Sequence, residues 1–275
     1  MNKINVLAMP QADYFVQSEI DRLRVNVGFA GTDKKVIMVT SSVPNEGKSY
    51  IAISLWNELA KAGNRVCLVD CDMRKSDLRN TLRLATANNE QFVGLSHYLA
   101  GYAEANDVVY ATNIERAYLV PTLTMINPSL LLEGNKFDKL ISLLKNNFDY
   151  VILDTPPLRI VSDGKMISAK CDGCVLVVRA HETSRVDVKN CMQQLAAVGC
   201  PLLGIVLNRV ENRKTRGYYA KSYYSKGYYT KYYTSSDAEE SPEDGNKTQT
   251  RASKKREKPK RDKHEEKPEA VKEDE

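Results

Sequence analysis

The sequence predicts an α/β protein, a mainly parallel sheet with helices on both faces. Three observations predict it. Apolar strand-like runs alternate with helical stretches from Val36 to Asn208, the pattern of a parallel sheet with crossover helices. The apolar run at 35–40 passes through a short polar loop into a helical stretch at 50–62, which Gly63 ends. Two more apolar runs, at 65–69 and 149–153, finish in carboxylates: Asp70 and Asp72 after the first, Asp154 after the second. Ligands of open parallel sheets bind beyond the carboxyl ends of the strands, so these strand ends are expected to converge on one site.

Taken in order, residues 1–35 form an N-terminal segment whose stretch 16–27 reads as an amphipathic helix. Residues 36–210 form the core, with strands near 36–40, 66–69, 122–126, 151–153, 175–178 and 202–207 and helices between them. A tyrosine-rich tail follows at 211–235. From Ser235 onward Lys, Glu, Pro and Ser dominate and large apolar side chains are nearly absent, so 236–275 is expected to be a disordered, charged tail.

The loop between the first core strand and its helix reads Ser41-Ser42-Val43-Pro44-Asn45-Glu46-Gly47-Lys48-Ser49. It is a P-loop with one departure, Ser42 where the general pattern has its first glycine. Backbone N–H groups of such a loop, including those of Asn45, Glu46, Gly47 and Tyr50, point at phosphate oxygens, and the helix dipole adds favourable potential. Lys48 reaches the outer phosphates and the Ser49 hydroxyl is the Mg²⁺ ligand. The expected fold is therefore that of the P-loop NTPases, and the expected cofactors are ATP and Mg²⁺.

Eight of the fifteen tyrosines occur as pairs between residues 218 and 233: Tyr218-Tyr219, Tyr223-Tyr224, Tyr228-Tyr229 and Tyr232-Tyr233. Lysine, serine, glycine and threonine separate them, and the spacing near five is neither the strand nor the helix period. A mobile tail with paired phenols offers repeated nucleophiles to a phosphoryl-transfer site.

Together these residues resemble the bacterial P-loop protein-tyrosine kinases (BY-kinases) of capsule and exopolysaccharide systems, in the form found as a separate cytoplasmic chain. Residues 40–49 match the family's Walker A motif, 68–74 its additional Walker A′ and 151–157 its Walker B. Gly94-Leu95-Ser96, Asn127-Pro128-Ser129 and the tyrosine cluster also fit, and the resemblance spans roughly residues 18 to 233. Ser42 in place of the first glycine is the family's own habit. One element departs: where family members carry Glu-x-x-Arg-x-x-Arg near the start, implicated in packing subunits into a ring, this chain has Ser18, Asp21 and Arg24, with a shifted Glu19…Arg22 pair alongside. The resemblance thus leaves a homo-oligomer open, beside the plainer reading of a helix packed on its own domain.

The resemblance implies a protein-tyrosine kinase that phosphorylates its own tail at Tyr218, Tyr219, Tyr223, Tyr224, Tyr228, Tyr229, Tyr232 and Tyr233. Mg²⁺ would be held by Ser49 and the phosphates, with Asp72 and Asp154 close by, while Lys48 offsets charge on the transferred group. A tyrosine hydroxyl has a pKa near 10 and needs a carboxylate acceptor; position and resemblance favour Asp70. Arg74 either contacts phosphate, orients its loop or forms a structural salt bridge. Asn208 sits where related ATPases hold the nucleotide base. A flexible tail of about 20 residues spans about 25 Å, enough to reach a neighbouring subunit. Each phosphate adds about −1.5 to −2 charge, so three would more than cancel the tail's positive charge. The resemblance further implies a membrane-anchored activator of the chain-length type and a cognate tyrosine phosphatase as partners.

Composition excludes other classes. The net charge of +5 is spread out: residues 211–275 hold seventeen Lys/Arg against fourteen Asp/Glu, and the rest of the chain is nearly balanced, so no nucleic-acid footprint is expected. There is neither a signal peptide nor a membrane-spanning run, so the expected location is cytoplasmic, recruited peripherally to the inner face of the membrane through a partner. Six cysteines suit a reducing compartment, and Cys171…Cys174 lacks the second pair a zinc site needs. Two alternatives stand beside the kinase. A partitioning-type ATPase would carry a lysine at Val43 and no paired tyrosines. A nucleotide-binding adaptor would not need Lys48, Ser49, Asp70, Asp72 and Asp154 all intact.

Overall fold

The computed structural model describes residues 2–86, 92–125 and 127–210. The tyrosine-rich tail 211–235 and the charged tail 236–275 lie outside them. In chain order the elements are β1 (Asn2–Asn5), α1 (Tyr14–Phe29), β2 (Val36–Ser41), α2 (Lys48–Lys61), β3 (Val66–Asp70), α3 (Leu78–Thr81), β4 (Ala85–Thr86), α4 (Leu95–Ala100) and α5 (Ala105–Val108). Then come β5 (Tyr110–Thr112), β6 (Ala117–Val120), α6 (Pro128–Leu132), α7 (Asn135–Asn147), β7 (Tyr150–Asp154), α8 (Asp163–Ser168), β8 (Gly173–Arg179), α9 (Arg185–Ala197) and β9 (Leu202–Asn208).

One sheet runs in the order β4-β1-β5-β6-β3-β7-β2-β8-β9. From β6 to β9 every neighbouring pair is parallel; β1 also runs parallel to β5, while β4–β1 and β5–β6 are antiparallel. The central strands are apolar along their whole length because both faces are covered. Alternation along β2 shows it: Ile37 and Val39 pack with Trp56 and Leu59 of α2, whereas Val36 joins Leu140 and Leu144 of α7 and Met38 joins Cys191 and Leu195 of α9. Trp56 is fully buried and its indole N–H donates to Val66 O at 3.3 Å, which fixes α2 against β3.

Five of the expected strands are present. The sixth is not at 122–126 but at Ala117–Val120, paired in parallel with β3. Pro121 follows it and has no N–H for a ladder. Beyond it the backbone bonds to loops instead, Leu123 N–H to Ser96 Oγ at 3.3 Å and Met125 N–H to Met73 O at 2.9 Å. The helix after the P-loop begins at Lys48, two residues before the expected start. The short strands β1, β4 and β5 were not anticipated.

The N-terminal helix runs from Tyr14 to Phe29, with the Asp13 side chain accepting from Val16 N–H at 2.8 Å as its N-cap. Ile20 and Val27 are buried and Leu23 packs on the cluster that contains α2, so α1 lies against its own domain. Its charges pair within the helix, Arg22 with Glu19 at 3.2 Å and Arg24 with Asp21 at 3.7 Å. All six cysteines are free, five of them buried and Cys171 partly so. Burial pushes every thiol up, Cys191 and Cys200 to about 11. Among the described residues no helix is long and apolar enough to cross a membrane.

Candidate active site

The strand order decides where the site lies. β3, β7 and β2 are neighbours although about eighty residues separate β3 from β7 in the chain. Their register pairs Asp70 with Asp154 and Asp154 with Val39, so two carboxylates and the start of the P-loop stand at one level of the sheet. Cys71 N–H donates to Asp154 O at 2.8 Å and Thr155 N–H to Val39 O at 3.2 Å, extending this alignment past the strand ends.

The P-loop is held in shape from within by Glu46, whose side chain is buried. Its Oε2 accepts from Ser42 N–H at 2.6 Å and Val43 N–H at 3.0 Å, and the Ser42 hydroxyl donates to the same oxygen at 2.8 Å. The Thr183 hydroxyl, from the turn after β8, donates to Oε1. A loop without its first glycine is thus tied by a carboxylate. The backbone turns at Asn45 (φ 66°) and Gly47 (φ 96°). At Gly47 a Cβ would stand 2.0 Å from the Asn208 Nδ2, which itself donates to Glu46 O at 2.9 Å. Ser42 and Glu46 bond each other and Asn208 bonds the Glu46 backbone, so all three side chains shape the loop.

Beside the loop is a cavity of about 490 Å³. Of the residues singled out in the sequence, Asn45, Gly47, Lys48, Ser49, Tyr50, Asp72 and Arg74 line it. Asp70 and Asp154 lie beneath that wall, both almost wholly buried. Lys48 Nζ is 2.9 Å from Asp72 Oδ2 and 3.7 Å from Asp154 Oδ1, and it donates to Ser49 Oγ at 3.3 Å. Burial pulls the Lys48 ammonium down, but Asp154, Asp72 and Asp70 outweigh it, so the amine is held charged. Burial and then the neighbouring Asp154 push the Asp70 carboxyl well above its usual range, against the hydrogen bonds from the Ser76 hydroxyl and Asp72 N–H. Burial likewise raises Asp154, against Lys48 and Ser49.

Arg74 lines the cavity and is engaged by Asp163 and Ser129. Its Nε and Nη2 donate to Asp163 at 2.6 and 3.1 Å, and Nη2 also donates to Ser129 Oγ at 3.1 Å. Ser129 Oγ in turn donates to Asp163 Oδ1 at 2.5 Å. The guanidinium is a structural ion pair and a cavity-wall residue at once, fixed between the Walker A′ loop, α6 and α8. Ser129 belongs to the Asn127-Pro128-Ser129 segment that the resemblance picks out; Asp163, Ser76 and Thr183 were not anticipated. Asp163 and Thr183 belong to the site only through partners distant in the chain, whereas Ser76 bonds Asp70 six residues before it.

The donor set fits Mg²⁺. Asp154 Oδ1 is buried and makes no hydrogen bond, its nearest cation being the Lys48 ammonium at 3.7 Å, and Ser49 Oγ and Asp72 lie beside that ammonium; all three are oxygen ligands suited to a hard cation. Among the described residues no cluster of three or more His, Cys, Asp or Glu forms a ready metal cage.

Comparison with known proteins agrees with this geometry. An AAA domain profile (AAA_31) matches residues 34–198. The tyrosine-protein kinase CpsD of Streptococcus agalactiae is 39% identical over 199 residues, covering 72% of this chain and 85% of that protein. The chain belongs to the bacterial P-loop tyrosine-kinase family. Among solved structures, the kinase domain of the Escherichia coli tyrosine kinase ETK is similar with a TM-score of 0.64 and 27% identity, over 74% of this chain and 80% of that one. The Pyrococcus furiosus cell division ATPase MinD shares the fold with a TM-score of 0.57 and 25% identity, over 66% and 74% of the two chains.

Proposed function

We propose that this chain is an ATP-dependent protein-tyrosine kinase that phosphorylates its own C-terminal tyrosine cluster and regulates capsular or exopolysaccharide synthesis and export. The observation that carries the reading is Lys48, charged and set between Asp72 and Asp154 at the start of α2, in a chain that goes on to paired tyrosines. The phenol oxygen of an acceptor tyrosine forms a bond to the γ-phosphorus of ATP as the bond to the bridging oxygen breaks and ADP leaves. Lys48 offsets the charge that develops on the transferred group. Ser49, Asp72 and Asp154 would hold Mg²⁺, which when bound neutralises charge on the phosphates. The phenol proton passes to a carboxylate. Asp70 has the raised pKa that suits a base, and Asp72, also buried, lines the cavity beside Lys48; we assign the proton to Asp70 and keep Asp72 for the metal and Lys48.

The kinase works in the cytoplasm, drawn to the inner face of the membrane by a membrane-anchored activator. A tyrosine phosphatase resets the tail, and transfer occurs between chains within an assembly. Incubation with Mg-ATP and a peptide from the cytoplasmic end of the activator, read by intact and peptide mass spectrometry, tests this. Phosphate is expected on tyrosines 218–233 and absent from Lys48→Met. ATP hydrolysis without phosphotyrosine would overturn the kinase in favour of a partitioning-type ATPase, and neither activity would favour an adaptor.

A further inference from the structure

Beyond the phosphate-directed groups, the cavity carries an apolar ledge and an exposed carboxylate. The ledge is Ile160 with Val161. Ile160 is 58% exposed, an unusual place for a branched aliphatic side chain beside a charged site. The two residues before it are anchored. Leu158 N–H donates to Ser41 O at 2.9 Å and Arg159 N–H to Ser42 O at 3.3 Å, so the turn is stapled to the P-loop backbone. Leu158 is buried next to Met38, and Arg159 pairs with Asp187 at 2.5 Å. The neighbours are anchored and Ile160 alone projects. The carboxylate is Asp77, exposed on the cavity wall. It precedes α3 yet makes no capping hydrogen bond, and among the described residues it has no ion-pair partner. Lys75 and Arg209 bring positive charge to the same cavity, which suits the donor's phosphates.

The tail sequence complements this wall. Three of the four tyrosine pairs have a lysine two residues after the second tyrosine: Tyr218-Tyr219-Ala220-Lys221, Tyr223-Tyr224-Ser225-Lys226 and Tyr228-Tyr229-Thr230-Lys231. The last pair, Tyr232-Tyr233, continues with Thr234-Ser235 instead. Two residues of extended chain span at most about 7 Å, within the reach of a lysine side chain across a cavity of this size. We propose that the cavity wall reads a Tyr-Tyr-x-Lys acceptor, the ring of the second tyrosine lying on Ile160 and Val161 while the lysine pairs with Asp77. Tyr219, Tyr224 and Tyr229 are then the preferred acceptors and Tyr233 the poorest. This inference rests on the tyrosine-kinase reading and adds to it a sequence preference.

The test uses the full chain and two peptides, one copying residues 222–227 and one in which Lys226 is replaced by Glu. The wild type is expected to prefer the lysine peptide by about five-fold in kcat/KM, the span of an exposed charge pair. Asp77→Lys is expected to invert that preference. Ile160→Ala is expected to raise the KM for the peptide about ten-fold while shifting the KM for ATP much less. Equal use of the two peptides by the wild type, or a preference that survives Asp77→Lys, overturns the proposal. A rise in the ATP KM in place of the peptide KM gives the ledge to the nucleotide base and also overturns it. Absence of transfer to either peptide, with the tail unmodified too, overturns the kinase reading itself and this inference with it.

Discussion

Replacing Glu46 with alanine removes a carboxylate on which four donors converge. Ser42 N–H, Val43 N–H and the Ser42 hydroxyl all point into the buried interior of the P-loop, and the Thr183 hydroxyl joins them from the far side. Hydrogen bonds to a charged acceptor contribute about 1.5–3 kcal/mol each, and buried donors left unmet cost about 1–3 kcal/mol each. Neighbouring effects are not additive, and the Ser42 hydroxyl is free to rotate. A net loss of about 3–4 kcal/mol follows, and for a domain of this size a fall in Tm on the order of 10 °C. Glu46→Gln should do far less, because its amide oxygen can still accept from Ser42 and Val43 while its NH₂ donates to the Thr183 hydroxyl. Its expected cost is about 1 kcal/mol. Thermal unfolding without nucleotide measures the first quantity, and calorimetric titration with ATP measures whether a loosened loop still binds. An alanine variant as stable as the wild type, or a glutamine variant as damaged as the alanine one, would refute the view that this carboxylate holds the loop.

Gly47→Ala should abolish nucleotide binding, since φ of 96° is strained for alanine and its Cβ would meet the Asn208 amide at 2.0 Å. Adding Asn208→Ala removes the contact but not the strain, so titration calorimetry should show at most partial recovery. For Asp70 the direction of the pKa shift sets the pH profile. A base must be ionised, and its raised pKa means kcat/KM is lost as pH falls through a value above the ordinary carboxylate pKa of about 4. A wild-type acid limb at that ordinary value would contradict the assignment. The same shift acts oppositely on stability, whose Asp70 contribution is greatest at low pH and is lost as pH rises through the raised value. Asp163→Asn should release the Arg74 guanidinium, raise the KM for ATP several-fold and cost about 1–3 kcal/mol, because Asp163 is buried. Chemical denaturation alongside steady-state kinetics separates the two effects.

What the sequence made legible were groups next to one another in the chain. The P-loop, its strand and its helix lie within thirty residues, and the Walker carboxylates sit at the ends of apolar runs, so their convergence follows from the general geometry of parallel sheets. What it hid were partners brought together by folding. Glu46 meets Thr183 across 137 residues and Arg74 meets Asp163 across 89. A serine, a threonine or an aspartate at those positions reads as an ordinary turn or helix-cap residue. The displaced strand has a local cause: Thr122 to Met125 look like a strand by composition, but Pro121 ends the ladder and tertiary bonds to Ser96 and Met73 take the backbone groups. The strand β1 was missed because only Ile4 of Asn2–Asn5 is buried, too little apolar signal for a pattern to register.

The neighbouring positions of β3, β7 and β2 tie ligand binding to the folding of the whole sheet. No local segment contains the site, because its groups come from strands that meet only when the chain between them has folded. A nucleotide then binds the native state and has nothing equivalent to bind in the unfolded chain. By mass action it stabilises the fold by about 2.7 kcal/mol at a hundred times its dissociation constant. The persistence of this protein is thus thermodynamically linked to the supply of its phosphoryl donor.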